Sequence, residues 1–426
     1  MEILEAKNYV KSTDFLPICQ KLYGKSKEIT EKVKKRYLRA LEKFQDLYPS
    51  RKEVQIFSAP GRTEIGGNHT DHQHGCILAA AVNLDVIGIV SFHEEKVIRV
   101  ASEGYEAFEI SLEDLSVQKG ETGSPAILRG IVERFSTMGA KVLGFDLYTT
   151  SEVICGSGIS SSAAFETLLG TIIDSYYNQN KAGAVEIAKI GQYAENVYFG
   201  KKSGLMDQMV SSVGGLVSID FEDTENPIIN NFNYDFQGQG YYICITDTKG
   251  SHANLTPDYV AIREEMEKVA SCFGKNYLRS VPEKEFYEKL PELRKTCSDR
   301  ALVRAAHFFE ENKRAIKEAE SLKQNDIKGF LKFVQSSGDS SAMLLQNQYS
   351  LTTPTNQEIP LAIMLSKKVL QETGAVRVHG GGFAGTIQAF VPEEKLVEYK
   401  ETLDKVFGEG SCQVLSIRPV GGVKIL

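Results

Sequence analysis

Val153-Ile-Cys-Gly-Ser-Gly-Ile-Ser-Ser-Ser-Ala-Ala-Phe-Glu166 is the stretch on which the fold turns. Upstream of it, Phe145-Asp-Leu-Tyr-Thr-Thr-Ser151 alternates apolar and polar residues in the manner of a strand. Downstream, Ala163, Ala164, Leu168, Leu169, Ile172 and Ile173 recur at helical spacing. The glycines and serines therefore fall where a strand gives way to a helix N-terminus. The first amides of a helix have no intrahelical partner, and its dipole is positive there. Gly156 and Gly158 carry no side chain, so a bulky anion can come against the backbone. The serine hydroxyls add donors and an oxygen ligand for Mg²⁺. A Ser N-cap after a glycine turn explains any single Gly-x-Gly, but the run from Gly156 to Ala164 is longer and more specific. It is neither Gly-x-x-x-x-Gly-Lys-Ser nor Gly-x-Gly-x-x-Gly, because serine stands where those need Lys or Gly.

A chain of 426 residues suffices for two or three domains with sizeable cores. Hydrophobic residues at 42% and charged residues at 25% are usual for a globular protein. The net charge of −7 argues against a general nucleic-acid binder, which needs a basic face. No apolar run is long enough for a membrane span, and Met1-Glu-Ile-Leu-Glu-Ala-Lys7 has no apolar signal core. The seven cysteines are odd in number and scattered, which suits reduced thiols. These features point to the cytoplasm. Within residues 1–50, Ile29, Val33, Tyr37, Leu41 and Phe44 recur every three or four positions and predict an amphipathic packing helix over Glu28–Leu47.

Ala59-Pro-Gly-Arg-Thr-Glu-Ile-Gly-Gly-Asn-His-Thr-Asp-His-Gln-His-Gly75 gathers an arginine, an aspartate and three histidines beside the apolar run Cys76–Phe92. A polar loop against buried strands suggests the wall of a site. His69, His72 and His74 have no helical i, i+4 pair and no second cluster to complete a metal shell. Recognition of hydroxyls fits better. Asp accepts from vicinal hydroxyls, His and Asn donate or accept, and Arg stabilises charge on a transferring phosphoryl group.

Together these stretches resemble the galactokinases of the GHMP kinase superfamily. Residues 59–75 are similar to their signature Gly-Arg-x-Asn-Leu-Ile-Gly-Glu-His-Thr-Asp-Tyr, with Arg62, Gly67, His69, Thr70 and Asp71 matching. The Gly-Ser run resembles their phosphate loop. Glu195 and Phe199-Gly-Lys-Lys-Ser-Gly-Leu-Met-Asp-Gln-Met209 resemble their Ala-Glu-x…Gly-x-x-x-Gly-Ile-Met-Asp-Gln element. Ser251–Arg263 resembles their Ser-x-x-x-His…Glu-Tyr-x-x-Arg-Arg element, and Ala375–Thr386 their Gly-Gly-Gly-Phe-Gly-Gly motif. Arg304, Ala305 and His307 resemble an Arg-Ala-x-His segment. Gly338-Asp-Ser-Ser-Ala342 lacks a histidine that relatives carry and receives no role.

The resemblance implies an α+β, two-lobed kinase with mixed sheets, helices and an active site between the lobes. It divides the chain into an N-terminal helical segment (1–50), a lobe with the sugar motif and phosphate loop (51–213) and a C-terminal lobe (214–426). It implies ATP-dependent phosphorylation of a hexose, galactose first, at the C1 hydroxyl. Arg62 and Asp207 would be catalytic. Asn68, His69, Asp71, Gly204 and Tyr259 would hold the sugar. Gly156, Ser157, Gly158, Ile159, Ser160, Ser161, Ser162 and Ala163 would bind ATP, with Ser162 and Glu195 on Mg²⁺. A monomer or weak homodimer with small-molecule partners is expected.

Four departures bear on the sugar. Glu64 stands where Asn is usual, Gly66 where Ile is, Asn68 where Glu is, and His72 where Tyr is. The usual Glu contacts the C6 side, so the amide of Asn68 makes galacturonate or another galactose-like sugar the alternative substrate. A non-catalytic sugar sensor is the alternative of another class. The complete Ser160–Ala164 run with Arg62, Glu195 and Asp207 favours catalysis. The His-Thr-Asp segment disfavours a mevalonate-type kinase.

Overall fold

The structure is a computed structural model that describes residues 1–153, 158–201, 203–251 and 255–426. The chain opens with helices α1 (Ile3–Lys11), α2 (Leu16–Tyr23) and α3 (Lys27–Leu47). Helix α3 follows its apolar period: Val33, Tyr37, Leu41 and Phe44 form its buried stripe. These helices cover one face of a large sheet, meeting Ile56, Ile87, Ile89 and Tyr148.

That sheet is built from β1 (Gln55–Gly66), β2 (Cys76–Phe92), β3 (Val97–Ser102), β4 (Phe108–Ser111), β5 (Phe145–Ser151), β6 (Leu216–Asp220) and β7 (Ile228–Phe232). Its main order is β12-β1-β2-β5-β3-β4, where β12 (Val423–Lys424) returns from the C-terminus, and β6 pairs with both β2 and β7. Side chains alternate across a strand. Along β2, Ile87 and Ile89 thus face the N-terminal helices, while Leu78, Ala80, Val82, Val86 and Val90 face the main core. The main core also takes in α4 (Ser124–Thr137), α5 (Ser161–Tyr177) and α6 (Gly183–Tyr193), while α7 (Met206–Val213) packs on α5 and α6 and against Ile77 and Ala79 of β2.

Two expectations change here. The polar segment 59–75 is not all loop, since its first half continues β1 as far as Gly66 and pairs with β2. The strand at 216–220 does not begin a second half. It pairs Cys76↔Asp220 through Ala80↔Leu216 in the first sheet. The reason lies in β2, a single 17-residue strand whose partner β5 reaches only Val86–Phe92. Without β6 the other end of β2 would leave buried amides and carbonyls unpaired.

The second sheet starts at β8 (Tyr241–Asp247) and adds β9 (Ala375–His379), β10 (Thr386–Pro392) and β11 (Cys412–Leu415) in the order β11-β8-β10-β9. Between β8 and β9 come α8 (Thr256–Ser271), the short α9 (Glu283–Glu288) and α10 (Leu290–Leu293), the long α11 (Asp299–Lys323), α12 (Ile327–Ser340) and α13 (Glu358–Leu370), and α14 (Leu396–Phe407) follows β10. Helix α11 packs on β1, β2, α8 and α12, and α12 packs on β9. The α11–α12 pair thus joins the two sheets. It brings the glycine-rich β9–β10 turn against the 67–75 loop and Gly158.

Candidate active site

Arg62 lies on β1 just past a register shift between Pro60 and Arg62, and it is 6% exposed. Its backbone amide donates to the Ile159 carbonyl at 3.0 Å, and its Nη1 donates to the Gly158 carbonyl. Its Nε and Nη2 donate to the two oxygens of Asp207, each at 2.8 Å. Asp207 is the second residue of α7. Ser160, at φ 58°, precedes α5; its hydroxyl donates to Asp207 Oδ2 at 2.8 Å instead of capping the helix. Burial alone would raise the Asp207 pKa, but the Arg62 charge and hydrogen bonds outweigh it and hold the carboxyl below its usual range. The pair is therefore ionised, and it ties the sugar-motif strand to the serine-rich loop.

Asp71 follows in a 3₁₀ turn, Asp71–Gln73. Burial, with the Asp207 charge added, pushes it up to about 6. Gly204 has a steric reason to be glycine, because a Cβ there would overlap Asp71 Oδ2. His69, at φ 59°, donates from Nε2 to the Gly381 carbonyl at 3.0 Å, and its Nδ1 meets His72 Nε2 at 3.3 Å. Burial keeps both imidazoles neutral, with pKa values below the usual range. Tyr259, near the start of α8, donates to the Gly382 carbonyl at 2.9 Å and lies edge-on to Phe383. Arg62, Asp71, Gly204 and Asp207 thus come together, with His69 beside them and Tyr259 supporting the glycine turn.

Asn68 departs from the expectation. It is 0% exposed and its side chain is directed to protein groups on every side. Glu311 on α11 accepts from the amides of Gly67 and Asn68, both at 3.1 Å, and from the Ser337 hydroxyl at 2.6 Å. Its pKa falls to about 2: burial opposes ionisation, but Arg314 and His307 prevail. His307 spans from the Ser340 hydroxyl (2.8 Å) to the Asn68 carbonyl (3.0 Å). Ser340 and Ser341, given no role from sequence, help hold Asn68. Glu311, and Arg377 whose Nη2 donates to Glu64 Oε1 at 2.7 Å, went unrecognised because nothing local marks a contact across more than 200 residues; only the Arg-Ala-x-His resemblance hinted at the Glu311 helix.

Gly156 and Ser157 lie outside the described residues. Gly158 has φ 70°, and a Cβ there would sit 2.8 Å from Thr386 Oγ1. Ile159 and Ala163 are buried at 1% and 0% exposure, so their side chains serve packing and not a ligand. Ser161 and Ser162 line a cavity of about 510 Å³ with Phe108, Ser124, Ile127 and Phe165. A pocket with an apolar body and hydroxyls at one end suits a purine carrying phosphates. Glu195 falls where α6 widens into a π turn, Ala194–Phe199. Its oxygens accept from Lys201 at 3.1 Å and Gln208 at 3.0 Å. Gln208 also donates to Glu166 at 3.0 Å, a buried carboxyl pushed well up by burial and by Glu195. Glu166 was not recognised from sequence.

The two sheets, the α11–α12 connection and a serine-rich helix start beside a buried Arg–Asp pair define a GHMP kinase fold. Residues 126–215 match the family model for the GHMP kinases N terminal domain, and residues 42–92 match the galactokinase galactose-binding signature. The galactokinase of Glaesserella parasuis serovar 5 (strain SH0165) is 32% identical over 365 residues, covering 83% of this chain and 88% of that protein. That of Actinobacillus pleuropneumoniae serotype 5b (strain L20) is 31% identical over 367 residues, covering 84% and 90%. The Lactococcus lactis galactokinase solved with galactose superposes with a TM-score of 0.77 at 23% identity, over 90% of this chain and 98% of that one. A mevalonate kinase structure gives 0.60 at 15% identity, over 85% and 98%. The chain belongs to the galactokinase family. It is a kinase, with ATP as co-substrate.

Proposed function

We propose that this chain transfers the γ-phosphoryl group of ATP to the C1 hydroxyl of galactose. The observation that carries the reading is the Arg62–Asp207 pair, which joins the sugar-motif strand to the serine-rich loop. Phosphoryl transfer to an alcohol asks for positioning and charge stabilisation more than for covalent chemistry. Asp207 orients the attacking hydroxyl and takes its proton as the new O–P bond forms and the bond to the β-phosphate oxygen breaks. Its lowered pKa makes it a weak base, so orientation is the larger part of its role. Arg62 keeps Asp207 ionised and balances charge on the transferring group. His69, Asp71 and the backbone beside Gly204 meet sugar hydroxyls. The nucleotide base fills the cavity of about 510 Å³ that Ser161 and Ser162 border.

Mg²⁺ supplies neutralisation of phosphate charge when bound. Glu195 and Ser162 fit it as hard oxygen donors, and the Glu195 carboxylate already attracts a cation, Lys201. Among the described residues no group of three or more His, Cys, Asp and Glu is arranged to hold a metal; Glu195 and Ser162 would hold the ion only together with the nucleotide's own phosphates. We place the enzyme in the cytoplasm, which its odd number of scattered cysteines suits, and take it to act as a monomer or weak homodimer. Among the described residues no helix is long and apolar enough to cross a membrane.

The test is ADP release with Mg-ATP and a panel of galactose, galacturonate, glucose, talose and N-acetylgalactosamine. Galactose is expected to dominate. Preference for another sugar rejects the assignment of substrate.

A further inference from the structure

Glu64 and Asn68 meet side chain to side chain, Asn68 Nδ2 donating to Glu64 Oε1 at 2.9 Å. A carboxamide has two N–H donors and two lone pairs. Asn68 uses all four. Its nitrogen also donates to the Gly380 carbonyl at 2.8 Å, and its oxygen accepts from Asn347 Nδ2 at 2.9 Å and Ser341 Oγ at 3.3 Å. Nothing remains for a ligand.

Glu64 is different. Its Oε1 accepts from Asn68 and from Arg377 Nη2 at 2.7 Å, which fixes the carboxyl plane. Among the described residues no donor bonds to its Oε2. The side chain is 5% exposed, yet Oε2 is not among the sealed, unpartnered oxygens, in contrast to both oxygens of Glu318. Arg62 and Glu64 stand two residues apart on β1 with unbroken register, so their side chains share the strand face that meets Asp207, and the charges of Arg62 and His69 act on this carboxyl. Burial raises its pKa above the usual range while Arg377, Arg62 and His69 oppose the rise. A carboxylate only accepts, so its partner must be an O–H or N–H donor. The sequence agrees: the amide and carboxylate usual at 64 and 68 are exchanged here, and the touching pair still holds one of each.

We infer that Glu64 is the carboxylate that accepts a hydrogen bond from one sugar hydroxyl in this enzyme, with Asn68 and Arg377 as its positioning residues. The inference rests on the galactose-kinase reading and deepens it. The ligand class is a neutral hexose, because a uronate would bring a second negative charge to Glu64.

The experiment compares wild type with Glu64→Gln on galactose and its 2-, 3-, 4- and 6-deoxy analogues, each as KM and kcat. Expected is a rise in galactose KM of about 10- to 100-fold, the loss of one charge-assisted hydrogen bond, with kcat changed far less. For one deoxy sugar, and one only, the substitution should cost nothing further. An unchanged galactose KM, or an equal penalty on every analogue, overturns the inference and leaves Glu64 a purely structural group. If Glu64→Gln does not fold, Glu64→Asp, which keeps the charge but shortens the reach, should raise KM for galactose and for every deoxy analogue but one; no such pattern overturns the inference equally. A wild type that ignores galactose overturns the parent reading and this inference with it. An active wild type with an indifferent Glu64→Gln overturns this inference alone.

Discussion

At Arg62 a buried guanidinium is satisfied on one side by the carbonyl of Gly158 and on the other by both oxygens of Asp207. Removing the Asp207 charge leaves that cation without its counterion and the sugar hydroxyl without its acceptor. Asp207→Asn is expected to lower kcat by about 10²- to 10⁴-fold, the usual worth of a positioned acid–base group, while ATP binding measured by calorimetry is retained. Near-wild-type turnover would remove Asp207 from this role. Asp71 gives the pH dependence. Its carboxyl, pushed up to about 6, is protonated and lost as an acceptor below that value. kcat/KM for galactose should therefore fall as pH drops through about 6, with the loss mainly in KM. For stability the sign is opposite. A carboxyl whose pKa is raised on folding favours the fold below its unfolded value near 4, and that support is lost as pH rises through about 6. Asp71→Asn should thus stabilise the sugar-free enzyme at pH 7.5, by on the order of 1 kcal/mol for this half-buried group, and much less at pH 5. Equal thermal shifts at the two pH values would reject the assignment.

Among the elements, α11 does most to hold the sugar loop. Glu311 takes two loop amides and a serine hydroxyl on one oxygen, while Arg314 holds the other. Glu311→Ala would leave two amides and a buried arginine unsatisfied, at a cost of about 3–5 kcal/mol, read as a drop in the denaturation midpoint with unchanged slope. Two turns on, Glu318 lies where a Cβ on Gly66 would overlap its Oε2, and neither of its oxygens has a hydrogen bond. Gly66 and Glu318 therefore form a matched pair. Gly66→Ala should destabilise the wild type but cost clearly less in a Glu318→Ala background, a coupling of about 0.5–3 kcal/mol. Additivity would mean the carboxyl moves aside freely. What the sequence showed of the site was local. The serine-rich helix start, Arg62, Asp71 and Asp207 stand in short patterns with a chemical reason for each residue. Glu311, Arg377 and Asn347 reach the site from hundreds of residues away. Each alone reads as an ordinary charged or polar residue of a helix or strand. Asn68 was read as a sugar contact for the same reason: of the four groups that occupy its side chain only Glu64 lies in the 59–75 segment, while Gly380, Ser341 and Asn347 come from far along the chain.

Across the whole molecule, Asp85 joins parts that the chain keeps far apart. Its carboxylate accepts from Tyr23 on α2 at 2.5 Å, from Arg36 on α3 at 2.5 Å, from Ser58 on β1, and from Arg418 near the C-terminus at 3.1 Å. Burial opposes its ionisation, but Arg36 and Arg418 keep its pKa below the usual range. The N-terminal helices are therefore part of the fold. Their periodicity was legible from residues 28–47, but their attachment to the sheet through a buried aspartate was not. The sheet division was legible only in part, since a strand's partner is set by the unpaired length of β2 and not by its own sequence. Deletion of residues 1–50 should expose the apolar face around Ile56, Ile87 and Ile89 and give insoluble protein; a soluble, active truncation would contradict this.

The most direct measurement incubates wild type and Asp207→Asn with Mg-ATP and an equimolar mixture of galactose and galacturonate, and identifies the products by ³¹P NMR. Expected are galactose 1-phosphate from the wild type, little galacturonate 1-phosphate, and next to no sugar phosphate from the variant. Phosphate on another hydroxyl, a preference for galacturonate, or full activity in Asp207→Asn would contradict the galactose-kinase reading.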